Sequence, residues 1–141
     1  MTLVRSVNGI AVACVKGAPR ETLALCSDIA VDGKTVPLTD AQRRAFLNEH
    51  DRLAGEGLRL LAVARRQLPS SLVGATDDAV ECELTMLGFV ALWDPPRAEV
   101  PEAVALCERA GIRVVMLTGD YGLTGQAIGR RVGLITHKVV N

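Results

Sequence analysis

The sequence predicts an α/β chain in which an antiparallel, β-rich first part with interleaved helices gives way to a helix, a strand and a second helix. Three observations predict it. Asn8-Gly9 and Asp32-Gly33 each separate two strand-like stretches, the strongest short-range signal for a hairpin. Apolar residues recur at near-helical spacing from Ala41 to Ala54 and again from Val100 to Cys107. Finally, Ile112–Leu117 is an apolar run of strand length, bounded by Gly111 and by Thr118-Gly119-Asp120. Such a run suits a parallel strand buried on both faces.

Each element has a local reason. Leu3–Val7 and Ile10–Val15 are β-branched and flank Asn8-Gly9, whose residues tolerate the left-handed conformations of a type I′ turn. Lys16-Gly17-Ala18-Pro19 ends the second strand, and Pro19 fits the first turn of a helix over Arg20–Cys26. Ile29–Val31 and Thr35–Pro37 form the second hairpin. Thr39 or Asp40 caps the next helix, which Gly55-Glu56-Gly57 stops. Leu58–Ala64 reads as a buried strand. Gln67–Glu81, carrying Ser70-Ser71, Gly74 and Asp77-Asp78, reads as a polar surface loop, and Leu84–Trp93 as the next strand. Asp94-Pro95-Pro96-Arg97 cannot continue a ladder and marks a domain boundary, dividing 1–93 from 94–141. Helices Glu99–Ala110 and Leu123–Val132 follow, stopped by Gly111 and Gly133.

Composition narrows the function. A chain of 141 residues suits one domain or pieces of two, and its 16 Lys and Arg offset 16 Asp and Glu. No basic face is available for phosphate contacts along a nucleic acid. The four aromatic residues, Phe46, Phe89, Trp93 and Tyr121, are scattered, which argues against a base-stacking platform. Cys14, Cys26, Cys82 and Cys107 show no C-x-x-C spacing and read as reduced core residues, with no metal site. His50 and His137 have no partner at metal or catalytic spacing and read as solvated. Arg5 and Asn8 interrupt the N-terminal apolar stretch, and Leu84–Trp93 is about half the length a membrane helix needs. A soluble, intracellular chain is expected.

Three places carry candidate chemistry. Strand, Thr118-Gly119-Asp120, helix is the arrangement in which α/β sheets place phosphoryl ligands, with a hydroxyl at Thr118, close backbone approach at Gly119 and a helix N-terminus beyond. Asp120 suits a ribose hydroxyl or a phosphate-held metal. A turn with a helix cap accounts for the same three residues. Lys16 and Gly17 offer a point charge and a flat surface for a base, or else a solvated lysine before a turn. Arg59 alternates with Leu58 and Leu60, so its guanidinium projects to the opposite face, free to fork two phosphate oxygens or to form a structural ion pair.

Taken together, Lys16-Gly17-Ala18-Pro19, the segment from Gly57 to Ala64, Leu87–Arg97 with its Asp-Pro-Pro-Arg, and Gly111–Asp120 with its Met-Leu-Thr-Gly-Asp resemble the cytoplasmic catalytic region of P-type cation-transporting ATPases. The likeness runs from about Leu3 to Leu134, and the double proline suggests the calcium, magnesium or sodium pump branch. The resemblance implies that 1–93 is the later part of a nucleotide-binding domain with a twisted antiparallel sheet. It implies that 94–141 begins the second segment of a phosphorylation domain, a Rossmann-like haloacid-dehalogenase fold, with Asp94–Arg97 as hinge. By the same resemblance Lys16 and Gly17 line the adenine site, and Arg59 contacts ATP phosphates. Thr118 is the catalytic residue, its hydroxyl holding the transferred phosphoryl group, while Asp120 and Arg97 help dock the nucleotide.

The implied cofactors are ATP and, in an intact parent, magnesium. The implied partners are the remaining domains and transmembrane segments of a pump, on the cytoplasmic side of a membrane, and exposed sheet edges are a route to pairing with a second copy. Arg20 and Tyr121-Gly122 depart from the usual residues after the lysine and aspartate motifs. No D-K-T-G-T nucleophile and no G-D-G-x-N-D magnesium motif occur in the 141 residues, so they are expected to be non-catalytic alone. The alternative is a stand-alone α/β nucleotide-binding or protein-interaction module without catalysis. A dinucleotide enzyme is disfavoured because no G-x-G-x-x-G follows a strand.

Overall fold

The computed structural model of the protein describes residues 1–69, 72 and 76–135. Asn8 and Asp32 adopt positive φ (51° and 49°), followed by Gly9 and Gly33, and so close two hairpins. The first joins β1 (Thr2–Val7) to β2 (Ile10–Gly17), with Val7 opposite Ile10; the second joins β3 (Cys26–Val31) to β4 (Lys34–Pro37). Between them, Pro19 opens α1 (Pro19–Ala24). The helix α2 (Asp40–Gly55) starts with a capping box: the Gln42 amide donates to the Thr39 hydroxyl at 3.3 Å, and the Thr39 amide donates to the Gln42 side chain at 2.9 Å. Then come β5 (Arg59–Leu68), α3 (Asp77–Val80), β6 (Leu84–Leu92), α4 (Val100–Arg109) and α5 (Gly122–Arg131).

Among the described residues the strands form one six-stranded sheet in the order β1-β2-β5-β6-β3-β4. β1–β2, β2–β5 and β3–β4 are antiparallel, while β3 and β6 run parallel. The chain divides into two units, Met1–His50 with Leu60–Val90, and Asp51–Arg59 with the residues from Ala91 onward.

The first unit holds the main core. Strand alternation turns Leu60, Ala62, Ala64 and Leu68 of β5 to one face, and Ala62 and Ala64 pack with Val15, Leu23, Cys26, Leu38, Leu84 and Met86. Arg66 shares that face, where an unpaired guanidinium would be costly. It donates to the Ala79 carbonyl at 3.1 Å and pairs with Glu83. Arg43 reaches from α2 to donate to the carbonyls of Leu23 and Cys26, tying α2 to the end of α1 and the start of β3. In the second unit, Gly57, Gly111 and Gly133 each take a positive φ and end a helix. The Leu58, Ile112 and Leu134 amides reach back to the carbonyls of Leu53, Cys107 and Gly129, the six-to-one bond of a Schellman motif.

Several expectations are corrected. The run Ile112–Leu117 is not a buried strand: among the described residues no ladder hydrogen bond reaches 113–117, and Val115 and Leu117 are 66% and 92% exposed. An extended run becomes a strand only where a neighbour pairs with its amides and carbonyls, and hydrophobicity alone supplies none. The polar loop 67–81 is shortened at both ends, since β5 continues to Leu68 and Asp77-Asp78 begin α3. Ser70-Ser71 and Gly74 lie outside the described residues, as does His137. His50 is buried, 6.0 Å from the Phe89 ring, not solvated. Phe46 and Phe89 are not scattered but meet with centroids 4.2 Å apart against the core. Of the four cysteines only Cys26 is buried; the others are half-buried, all with free thiols. No helix among the described residues is long and apolar enough to cross a membrane.

Candidate functional site

The sequence-predicted residues fall into two groups, one in each unit. In the first unit, β2 ends on Lys16, whose amide donates to the Met1 carbonyl at 3.1 Å and which lies opposite Val63 of β5. Lys16 borders a hollow of about 250 Å³ whose other walls are Met1, Leu3, Cys14, Val15 and Val63. A lysine among otherwise apolar walls suits a flat, weakly polar ring. Gly17 has a second reason to be glycine: a Cβ there would stand 2.8 Å from the Thr22 hydroxyl, so the close packing of α1 on β2 requires its absence.

In the second unit, the Asp120 amide donates to the Thr118 hydroxyl at 3.1 Å, which draws Thr118-Gly119-Asp120 into a turn ahead of α5. The Asp120 carboxylate accepts from the Thr118 hydroxyl at 3.4 Å and lies 3.2 Å from Arg59 Nε. Arg59 is thus in an ion pair, with its side chain 68% exposed and the guanidinium open to solvent. Gly119 is exposed, with nothing within 4 Å of the place a Cβ would occupy, so packing does not explain it. Arg97 is exposed ahead of α4, and its carbonyl accepts from the Val100 amide at 3.1 Å. Among the described residues no hydrogen bond or ion pair joins Arg97 to Thr118 or Asp120. The structure therefore brings Arg59, Thr118 and Asp120 together and leaves Arg97 out of that contact.

Sequence reasoning missed the residues that hold this cluster. The Tyr121 hydroxyl donates to Asp51 at 3.0 Å, the buried Thr124 hydroxyl donates to the Leu58 carbonyl at 3.0 Å, and Arg131 covers the Trp93 ring. The available signal was that a single tryptophan stands just before the double proline.

Burial pushes the Cys26 thiol up to about 11, against a smaller opposing pull from Arg43. It stays protonated and serves as core, donating to the Thr22 carbonyl at 3.1 Å. No three His, Cys, Asp or Glu side chains gather to hold a metal ion among the described residues, and Asp120, the carboxylate at the turn, is engaged by Arg59.

Residues 1–99 match the family model described as P-type ATPase, cytoplasmic domain N, and the chain belongs to the P-type ATPase family, whose members use ATP. It is similar to the sodium/potassium-transporting ATPase subunit alpha-A of Artemia franciscana, 40% identical over 136 residues, which covers 90% of this chain and 14% of that protein. It is also similar to subunit alpha-2 of Bos taurus and of Homo sapiens, each 41% identical over 129 residues, covering 86% of this chain and 13% of each relative. The chain therefore spans about one-seventh of the length of the curated relatives it matches.

Proposed function

We propose that the chain is the ATP-binding portion of a P-type cation pump, with residues 1–93 in the nucleotide-binding domain and 94–141 opening a haloacid-dehalogenase-like phosphorylation domain. Lys16 takes the adenine ring in the hollow at the end of β2, with Gly17 at its edge. Arg59 takes the phosphates. Thr118 holds the transferred phosphoryl group with its hydroxyl, and Gly119, Asp120 and Arg97 dock the nucleotide. Magnesium arrives with the phosphates. The likeness to sodium/potassium-transporting subunits favours sodium and potassium as the cations of the parent pump over calcium or magnesium. Its partners are ATP and the remaining domains and membrane segments of that pump; pairing with a second copy has no supporting observation.

The observation that carries this reading is the Arg59–Asp120 pair beside the Thr118 hydroxyl. A guanidinium that already holds an oxyanion in solvent has the fork and the access to take a phosphate in its place. Phosphoryl transfer is largely a matter of such positioning and charge neutralisation. The test is calorimetric titration of ATP into the chain and into Arg59→Ala. Binding in the millimolar range or tighter, weakened about tenfold by the substitution, is expected for the loss of one charge-assisted contact. Absence of binding at several millimolar ATP contradicts the proposal.

A further inference from the structure

The elbow between α2 and β5 is held by side chains from far along the sequence. Arg131, in the last turn of α5, lays its guanidinium 4.1 Å from the centroid of the Trp93 ring and donates from Nη2 to the Glu56 carbonyl at 2.5 Å. Gly57 sits against both, since a Cβ there would stand 3.2 Å from Arg131 Nη1 and 3.4 Å from Trp93 Cζ3. At the next residue, the Leu58 carbonyl accepts from Thr124. At the next, Arg59 meets Asp120. Glu56 and Leu58 are thus each held by a hydrogen bond from outside the elbow, Gly57 lies close against the Arg131 and Trp93 side chains between them, and the residue that follows is the proposed phosphate ligand. A cation in the last turn of a helix is also favoured by the helix dipole, yet a merely solvated arginine needs neither an aromatic face nor a carbonyl acceptor on another segment.

We propose that Arg131 and Trp93 form a latch that sets the position of Arg59, so that Arg131 is a positioning residue for nucleotide phosphate without touching it. This rests on the reading of Arg59 as a phosphate ligand. Gly57, at φ +85°, is the joint where the chain turns, and small torsional changes there move the Arg59 backbone. A bidentate contact tolerates a displacement of only about 0.5 Å, so a loosened elbow weakens phosphate binding even with Arg59 intact.

The test compares ATP with adenosine, which lacks the phosphates, on the full chain and on Arg131→Met, Arg131→Lys, Arg59→Ala and the double variant. Arg131→Met keeps the apolar stem and loses the charge and the donor. It is expected to weaken ATP about three- to tenfold, to leave adenosine within about twofold, and to shift the emission of Trp93, the single tryptophan. Arg131→Lys recovers part of the loss, and Arg131→Met adds nothing in the Arg59→Ala background. Where Arg131→Met does not fold, Trp93→Leu gives the same comparison by removing the ring instead. Equal losses for ATP and adenosine, or an Arg131→Met that binds ATP as the parent does while Arg59→Ala is weakened, overturn the latch and leave the Arg59 reading standing. An Arg59→Ala variant that binds ATP normally overturns the Arg59 reading, and the latch with it.

Discussion

Leu84 and Met86 in β6 are fully buried, whereas Val115 and Leu117, in a run no less apolar, stand mostly in solvent. The two stretches differ in neighbours. β6 has β5 on one side and β3 on the other, so its backbone is paired and one face meets a core. Among the described residues, 112–117 has no ladder partner, and 112–116 line an open cavity of about 610 Å³ with Gly129, Leu134 and Ile135. Strand formation is a property of pairs, and apolar sequence specifies where a strand fits without supplying the second half.

The contrast is sharpest at single side chains. Leu84→Ala is expected to lower stability in urea unfolding by about 2–5 kcal/mol, because removing a fully enclosed side chain leaves a cavity as well as a lost transfer energy. A loss under about 1 kcal/mol would mean that the first unit is packed no better than the second. Cys26 gives an intermediate effect from the same core. Its thiol sits above the ordinary value of 9.0, so the protonated form is favoured by folding; that contribution is fully present below about pH 9 and disappears as pH rises toward about 11. Across that window the parent chain loses on the order of 2 kcal/mol more than Cys26→Ala in the same measurement. At the small end stands Leu117→Ala, which removes an exposed side chain and changes stability by less than about 0.5 kcal/mol. A large loss there would show that 112–117 is buried in solution.

The same distinction between local and paired structure decides what was legible in the sequence. Both hairpin turns, the Thr39 cap and the glycine stops at Gly57, Gly111 and Gly133 are fixed by residues within one turn of each other, and they stand where the sequence puts them. The extent of β5 past Ala64, the short α3 and the unpaired state of 112–117 depend on what lies alongside, which no local pattern encodes. His50 misled for that reason: a lone histidine on a helix reads as solvated until Phe89 and the core close over it. At the site, Arg59 was legible as a guanidinium opposed to its apolar neighbours, with an ion pair as one of its two readings. Its partner Asp120 was legible only as part of a turn, and the carbonyl and ring contacts of Arg131 were not, since backbone acceptors and aromatic faces carry no sequence signal.

The most direct measurement of the central claim is a map of backbone amide shifts on titration first with adenosine and then with ATP. A nucleotide-binding chain of this design moves Lys16, Val63 and their neighbours with either ligand, and moves Arg59, Thr118, Gly119 and Asp120 only when phosphates are present. Shifts that are identical for the two ligands, or none at either group at millimolar ATP, contradict it.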